Sequence, residues 1–265
     1  MKILKDIHPI EMDDLVRVGK KGDGGYVIPE CCINRTTTLL SFGISDDWTF
    51  EEDFMKYRKD ITLYAYDYSV STIFFVKNIV QSFLGFKVEK TVTNICKALT
   101  FRQFFNPAKR RFFIRKYVGT IDTEQYVSVP TIFKSEYGMH NAQELSVFVK
   151  MDIEDNEYKV LPLFKPWYSL INGFVIEFHR LDICSAIFNS IIEELQTSFY
   201  ISHVHANNWD EWIDRNLLPP SLEITFVNKS LFSVSPAYSK KSYPIDDLDY
   251  PCNPKKPDIP LVFHG

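Results

Sequence analysis

Short apolar runs rich in β-branched and aromatic residues recur along the chain, and segments of mixed polarity separate them. Six runs are clear, at residues 38–44, 61–66, 147–151, 173–178, 199–205 and 222–227. Alternation of such runs with helical segments is typical of a parallel sheet covered on both faces. We therefore predict an α/β fold of the Rossmann-like type, with a ligand site at the carboxyl ends of the strands.

Two of the intervening segments have the character of helices. Residues 47–57 begin with acidic side chains, and residues 185–197 are amphipathic. The second helix is predicted to turn inward Ile187, Ile191, Ile192 and Leu195. The segment 83–129 is aromatic and basic, and it could form strands, a helical insertion or a substrate lid. Prolines accumulate within residues 228–265, which predicts an extended tail lying over the domain.

Composition narrows the classes of function. A chain of 265 residues with 45% hydrophobic content can bury one large core, so we expect a single domain over residues 1–265. The net charge of −4 gives no basic field for nucleic acid. Apolar runs are too short to span a bilayer, and residues 1–6 contain no signal-peptide core. We therefore expect a cytoplasmic protein without membrane insertion and without a nucleic-acid partner.

The first apolar run contains a single glycine, next to its last residue. Gly43 lies before a predicted helix, where the backbone can approach a ligand and the helix start offers unpaired N–H groups. Asp67 ends the next run about 20 residues later, a spacing at which an acidic residue accepts hydrogen bonds from ribose. The G-x-G-x-x-G fingerprint is missing, and Asp46 and Asp47 disfavour a pyrophosphate. This combination favours S-adenosylmethionine, a cationic nucleoside without phosphate, over NAD.

Candidate cofactor contacts cluster around these two positions. Trp48, Tyr66 and Tyr68 could stack on adenine or enclose a sulfonium by cation–π attraction, although core packing is the commoner fate of aromatic side chains. The predicted cofactor-binding residues are Phe42, Gly43, Ile44, Ser45, Trp48, Glu51, Asp67 and Tyr68. The clustered glycines of residues 22–26 form either a hairpin or a backbone segment that passes over the cofactor.

The stretch around the third run resembles a known family. Residues Lys150-Met151-Asp152-Ile153-Glu154-Asp155-Asn156-Glu157, with Val160-Leu161, are similar to the fourth-strand signature of FkbM-type methyltransferases, Lys-apolar-Asp-apolar-Glu-Gly-x-Glu followed by Val-Leu. Asp155 stands where that family usually has glycine. Three other segments also resemble elements found in one branch of the family. They are Phe42-Gly43-Ile44 with Phe50-Glu51, Gly22 to Ile28, and Asp249 to Pro254. The likeness extends from about Gly22 to the end of the chain.

The resemblance implies a class I methyltransferase fold, with a mostly parallel seven-stranded sheet and helices on both faces. It also implies S-adenosylmethionine as methyl donor. The implied reaction is O-methylation of a hydroxyl on a small molecule or sugar, in bacterial glycan or natural-product biosynthesis.

Polar side chains lie at or just after the ends of successive runs, at what should be one edge of the sheet. They are Asp152 and Glu154, then Glu177 and His179, then His203, His205, Asn207 and Asn208. A hydroxyl acceptor gains from a base, so His179 or His205 is the predicted base, with Asp152 as its orienting partner or as a ligand. The same groups could instead hold a divalent ion, as in metal-assisted O-methyltransferases.

Two other classes of protein stay open on the sequence. A NAD-dependent oxidoreductase that modifies nucleotide sugars would share the sheet but would need a glycine-rich phosphate loop. A non-catalytic Rossmann-like carbohydrate-binding protein would need neither base nor methyl donor. Binding of S-adenosylmethionine, of NAD or of neither separates the three classes.

Overall fold

The computed structural model describes residues 7–58, 60–134, 143–213 and 218–263. Its strands are β1 Leu15–Val18, β2 Tyr26–Pro29, β3 Thr38–Phe42, β4 Thr62–Tyr66, β5 Arg111–Ile114, β6 Tyr117–Gly119, β7 Tyr126–Ser128, β8 Val147–Met151, β9 Ile171–Phe178, β10 Phe199–Asn207 and β11 Ser221–Asn228. The six apolar runs correspond to β3, β4, β8, β9, β10 and β11, so their prediction as strands is confirmed. Residues 1–6, expected to contain no signal-peptide core, lie outside the described residues.

Seven strands form the central sheet, in the spatial order β10-β11-β9-β8-β3-β4-β5. Pairing is parallel from β9 through β8, β3 and β4 to β5, and β11 is antiparallel to both of its neighbours, β9 and β10. The chain therefore has the predicted seven-stranded, mostly parallel Rossmann-like sheet. The carboxyl ends of β3, β4, β8, β9 and β10 consequently lie at one edge, where β11 begins.

The helices confirm one prediction and correct another. They are α1 Glu30–Arg35, α2 Thr49–Tyr57, α3 Thr72–Leu84, α4 Val88–Phe104, α5 Val129–Lys134, α6 Glu157–Val160 and α7 Leu181–Leu195, with 3-10 turns at Pro107–Lys109, Leu161–Trp167 and Lys229–Leu231. The two predicted helices are α2 and α7. Ile187 of α7 was predicted to face inward but is 46% exposed, because the buried stripe runs through Phe188 and Ile191. Among the described residues, no helix has both the length and the apolar character needed to cross a bilayer.

Side chains alternate between the two faces of the sheet because successive strand residues point to opposite sides. On one face, Leu39, Leu63 and Phe148 pack with Phe54 of α2 and Phe104 of α4. The opposite face packs against the Leu161–Trp167 turn and α7, through Leu40, Val149, Phe164, Ile176 and Phe188. Helices thus cover both faces, as predicted.

The segment 83–129 contains both helix and strand. The helices α3 and α4 pack together as a hairpin. The side-chain amide of Asn94 joins them by donating to the carbonyl of Asn78 at 3.0 Å and to the hydroxyl of Ser82 at 3.2 Å. β5 then extends the sheet beside β4, and β6 pairs with β7 in a separate parallel ribbon.

The tail after β11 is largely irregular in its described part and lies over the carboxyl end of β10. Isolated bridges pair Ile10 with Tyr238 and Tyr243 with Leu261. Asp249 and Asp258 reach the histidines of β10 through side-chain contacts. Within its described residues the tail contains the 3-10 turn Lys229–Leu231 and no α-helix.

Candidate functional site

The ends of β3 and β8 meet at a backbone contact that requires glycine. Gly43 has a φ of 75°, in the left-handed region that favours glycine. A Cβ atom added to Gly43 would lie 1.6 Å from the carbonyl oxygen of Asp152. The N–H of Asp152 in turn donates to the carbonyl of Phe42 at 3.0 Å. The glycine therefore permits a tight junction between two strand ends at the edge of the sheet.

Asp67 holds the loop that follows β3. One of its carboxylate oxygens accepts the backbone N–H groups of Ile44 at 3.1 Å and Ser45 at 2.8 Å. The other oxygen accepts the N–H and the hydroxyl of Ser69, at 2.8 Å and 2.6 Å. The loop N–H groups that could cradle a phosphate are therefore already engaged.

A cavity of about 440 Å³ opens beside this loop, between the ends of β3, β4 and β8 and the β6–β7 ribbon. Its wall is partly aromatic, from Tyr66, Tyr117 and Tyr126, and partly acidic, from Asp67 and Asp152. The other lining residues are Gly43, Ser45, Ser69, Val118, Ile153, Glu154 and Asn156. Such a wall suits a planar base joined to a positive charge.

A smaller cavity of about 170 Å³ adjoins the first, since Gly43, Ser45 and Asp152 line both. The loop between β1 and β2 forms part of its wall through Lys20, and Lys150 of β8 adds a second ammonium group. β1 and β2 pair antiparallel, so the glycine-rich residues 22–26 form a hairpin connection that borders the site.

His179 lies beside the larger cavity, directly after β9. Its Nδ1–H donates to Oε1 of Glu157 at 3.0 Å. Its Nε2 lies 3.8 Å from an oxygen of Asp152 and 3.6 Å from an oxygen of Glu177. The side chain is 18% exposed, and Nε2 makes no hydrogen bond to the described residues that is shorter than these two contacts. Glu157, rather than the predicted Asp152, is thus the carboxylate that orients the ring.

Carboxylates outnumber cations at this edge. Burial opposes the charged form of His179, but the hydrogen bond to Glu157 and the charges of Glu177 and Asp152 raise its pKa to about 10. Burial raises the pKa of Glu177 well above its usual range, and the charges of Asp152 and Glu223 add to that effect. A cation bound here would relieve the repulsion among the carboxylates.

The same side chains also fit a metal ion. Ligand atoms of Asp152, Glu154 and His179 lie within 4.8 Å of one another. Carboxylate oxygens and an imidazole nitrogen are common ligands of divalent cations. The geometry is therefore compatible with both predicted mechanisms, a histidine base or a metal-assisted transfer.

Asp155 adopts the backbone conformation expected of the glycine it replaces. Its φ is 72°, and the preceding Glu154 has a φ of 51°. Asp tolerates this left-handed region better than most side chains, at a cost of roughly 1 kcal/mol relative to glycine. Arg180 pairs with its carboxylate at 3.2 Å. The loop after β8 thus keeps a glycine-like turn despite the substitution in the resembled pattern.

His205, the other predicted base, lies in a closed cluster and is 2% exposed. Its ring donates from Nδ1 to Glu223 at 2.9 Å and from Nε2 to Asp258 of the tail at 3.0 Å. Burial opposes the charge, but Asp258, Cys252 and Glu223 together raise the pKa of His205 well above its usual range. The structure therefore separates the two predicted bases, with His179 beside the cavity and His205 under the tail.

Two predicted cofactor contacts lie in the core behind the cavity. Phe42 is fully buried and packs against Tyr66. Trp48 packs edge-on against Phe101, in the aromatic cluster beneath α4, so the alternative of core packing applies to it. Glu51 is buried and accepts a hydrogen bond from Ser41, but it also lines the smaller cavity.

The other predicted contacts surround the cavity. Gly43, Ser45 and Asp67 line it, and Ile44 acts through its backbone bond to Asp67. Tyr68 lies outside the wall, where the guanidinium of Arg115 covers its ring at 4.4 Å. The structure thus places the predicted backbone loop at the cavity, and the side chain of Tyr68 away from its wall.

Three residues of the site received no role from the sequence. Glu157 orients His179, and its only signal was its place as the second Glu of the resembled run. Tyr117 and Tyr126 line the cavity from β6 and β7, inside the segment whose pattern did not resolve helix from strand.

No family model and no curated protein matches the chain. Similar solved structures include the precorrin-6y C5,15-methyltransferase of Geobacter metallireducens GS-15. The two sequences are 10% identical, and the alignment covers 75% of this chain and 87% of that chain with a TM-score of 0.34. The Methanococcus jannaschii fibrillarin pre-rRNA processing protein is also similar. It is 11% identical, and the alignment covers 74% of this chain and 68% of that chain with a TM-score of 0.34. The 16S rRNA (adenine(1408)-N(1))-methyltransferase of Catenulisporales acidiphilia has 9% identity over 84% of this chain and 99% of that chain, with a TM-score of 0.31. At these identities the similarity concerns the fold alone.

Proposed function

We propose that this chain is an S-adenosylmethionine-dependent O-methyltransferase. The observation that carries the proposal is the cavity beside Gly43, at the carboxyl ends of parallel strands, with its aromatic and acidic wall. Asp67 engages the loop N–H groups of Ile44 and Ser45, which a pyrophosphate would need. A cationic nucleoside without phosphate meets both conditions.

The parts of the cofactor fit different parts of the site. The larger cavity offers the rings of Tyr66 and Tyr117 to an adenine. A ribose would approach Asp67, sharing or displacing the bonds that Ser69 makes there. The amino-acid end would extend into the smaller cavity, where its ammonium group would meet carboxylates such as that of Asp23. Its carboxylate would share Lys20 with Asp47, or Lys150 with the carbonyl of Gly43.

When bound, S-adenosylmethionine supplies a methyl group on a positively charged sulfur, and the acceptor hydroxyl loses its proton as it takes that group. We assign Nε2 of His179 as the atom that accepts this proton, because Nδ1 is hydrogen-bonded to Glu157, which fixes the ring. The pKa of about 10 keeps this imidazole protonated in the free protein at neutral pH. A cation bound beside Asp152 would lower that pKa and prepare the base.

A divalent ion is a second candidate for the same position, favoured by the spacing of the Asp152, Glu154 and His179 ligand atoms. In that case the ion would lower the pKa of the acceptor hydroxyl, and the three side chains would act as its ligands. Removal of divalent ions with a chelator, followed by addition of Mg²⁺ or Mn²⁺, separates the two mechanisms. Loss and recovery of activity support the ion, and unchanged activity supports the base.

For the acceptor, we propose a hydroxyl of a small molecule or sugar, as in FkbM-type enzymes of bacterial glycan or natural-product biosynthesis. The fourth-strand run from Lys150 to Glu157 supports this assignment, and the glycine-like φ of Asp155 removes the main departure from the pattern. The acidic wall and the net charge of −4 disfavour a phosphate-rich nucleic acid. We place the reaction in the cytoplasm, with the chain acting as one methyltransferase domain.

The rival classes are less well supported. For a NAD-dependent oxidoreductase, the loop after β3 contains one glycine, Gly43, and its N–H groups are engaged by Asp67. A non-catalytic carbohydrate-binding protein would not need a partly exposed histidine oriented by a buried carboxylate, as His179 is by Glu157.

The test is methyl transfer in an extract of the source organism. The full chain is incubated with methyl-labelled S-adenosylmethionine and extract, with and without prior ribonuclease treatment. We expect label in a small-molecule or saccharide fraction, insensitive to ribonuclease and reduced in the His179→Gln variant. Label that ribonuclease removes would contradict the acceptor, and label in no fraction would contradict the activity.

A further inference from the structure

Outside the site, the tip of the α3–α4 hairpin presents apolar side chains to solvent. Phe83, Leu84, Phe86 and Val88 are 71%, 69%, 92% and 74% exposed. Val80 and Val92, on the flanks of the two helices, extend this exposed surface away from the tip. Contiguous apolar surface of this kind marks an interaction site more often than ordinary protein surface.

The hairpin is anchored only near its base. The buried apolar residues of its helices are Phe75, in the first turn of α3, and Phe104, the last residue of α4. At 1.5 Å per residue, α4 extends about 25 Å from Phe104 to its start at Val88. Asn94 ties the two helices together partway along. The tip therefore projects from the domain as a stiff, apolar element.

The hairpin is also basic within an acidic chain. Residues 72–104 contain five Lys or Arg and one acidic residue, Glu89, for a net charge of +4, whereas the whole chain carries −4. Lys87 and Lys90 lie beside the apolar tip and are exposed. Lys97 faces the domain instead, where it pairs with Asp46 at 2.6 Å.

We infer that the α3–α4 hairpin docks on an anionic lipid membrane surface. Phe83, Leu84 and Phe86 would enter the interfacial region, and Lys87 and Lys90 would lie at the level of the lipid phosphates. A second copy of this chain is a poorer occupant, because pairing two hairpins would bring together two net charges of +4. The inference rests on the hairpin alone and is independent of methyl transfer.

The test is flotation of the full chain with vesicles. Vesicles of phosphatidylcholine with about 30% phosphatidylglycerol are compared with pure phosphatidylcholine at low and at high salt. We expect binding to the anionic vesicles that weakens with salt. The double variant Phe83→Ser/Phe86→Ser should bind at least about tenfold more weakly, because two large apolar side chains are lost from the interface. Charge reversal, Lys87→Glu/Lys90→Glu, should weaken binding only to the anionic vesicles.

A matched control removes exposed apolar residues elsewhere. Ile183→Ser/Ile187→Ser alters α7, where both side chains are exposed, and should leave vesicle binding unchanged. Circular dichroism verifies that each variant is folded. Absence of wild-type binding at low salt, or equal binding by Phe83→Ser/Phe86→Ser, would overturn the inference. So would a dimer in sedimentation velocity that the hairpin substitutions abolish while vesicles bind no protein.

Discussion

His179 and His205 belong to the same edge of one sheet, yet their surroundings differ in one decisive way. His179 follows β9 and lies next to Asp152 of the cavity wall, with one nitrogen bonded to Glu157 and the other among more distant carboxylates. His205 belongs to β10, and its two nitrogens are bonded to Glu223 and Asp258. An open nitrogen distinguishes a group that can exchange a proton from one that holds a structure.

The difference comes from the tail. Asp258, which lies 53 residues after His205, accepts a hydrogen bond from Nε2 of that histidine. Asp249 of the tail likewise contacts Nε2 of His203. The described tail thus closes the β10 side of the edge, while residues at the ends of β3, β4 and β8 line the cavity. Chemistry and stability are therefore expected to separate between the two histidines.

The largest expected effect is on turnover at His179. His179→Gln keeps a hydrogen-bonding side chain but removes the titrating nitrogen, so methyl transfer should fall about 10²- to 10⁴-fold. Because the raised pKa of His179 also stabilises the fold, turnover is compared per folded molecule, with the folded fraction measured by circular dichroism. Steady-state rates with the labelled donor measure the effect, and a variant with wild-type turnover would refute His179 as base and as metal ligand alike.

At His205 the expected loss is of stability. His205→Ala leaves the buried Glu223 and the half-buried Asp258 without their cation, which should lower the free energy of unfolding by about 3 kcal/mol. Turnover per folded molecule should stay within about threefold of wild type, since the group lies outside the proposed chemistry. Denaturant titration measures the change, with Lys255→Ala, an exposed tail substitution, as the control. A stable but inactive His205→Ala would reverse the assignment of the two histidines.

The pH dependence of stability should carry the signature of His179. Its pKa is raised from about 6.5 in the unfolded chain to about 10 in the folded one, so its stabilising effect is complete below pH 6.5 and is lost as the pH rises through 10. Between these values the stability of wild type relative to His179→Gln should fall by roughly 1 kcal/mol per pH unit. Unfolding titrations of both proteins from pH 6 to pH 10 measure this, and parallel curves would contradict it.

The smallest expected effect is at Asp155, in the loop beside the His179 cluster. Asp155→Gly relieves a φ of 72° and removes a buried, unpaired carboxylate oxygen, at the expense of an exposed ion pair with Arg180. The free energy of unfolding, measured by thermal unfolding, should be unchanged or should rise by up to about 1 kcal/mol. Asp155→Val, with a β-branched side chain in the same conformation, is the matched opposite and should be destabilised. Destabilisation by glycine would mean that the Arg180 pair outweighs the backbone strain.

The core of the sheet was predictable because strands buried on both faces leave continuous apolar runs. β8, from Val147 to Met151, is buried along its whole length. β5 went unassigned because all four of its residues, Arg111–Ile114, are only half-buried at the sheet edge. The meeting of Asp152 and His179 followed from the rule that parallel strands end at one edge.

Other features of the site could not be predicted, because they depend on contacts distant in sequence. The closure of His205 requires the path of the irregular tail, which has no periodic signal. The roles of Tyr117 and Tyr126 require a two-stranded ribbon with strands of three residues, too short to leave a pattern. The exposure of Ile187 depends on the rotation of α7 about its own axis, which determines which of its side chains pack against the sheet.

Calorimetric titration of the full chain tests the proposed cofactor site most directly. We expect S-adenosylmethionine and its demethylated product S-adenosylhomocysteine to bind at one site each, and NAD to give no heat of binding. Asp152→Asn should weaken S-adenosylmethionine more than S-adenosylhomocysteine, because only the former carries the positive sulfur that the acidic wall favours. Binding of NAD alone would indicate the oxidoreductase, and binding of none of the three would contradict a methyl-donor site in this cavity.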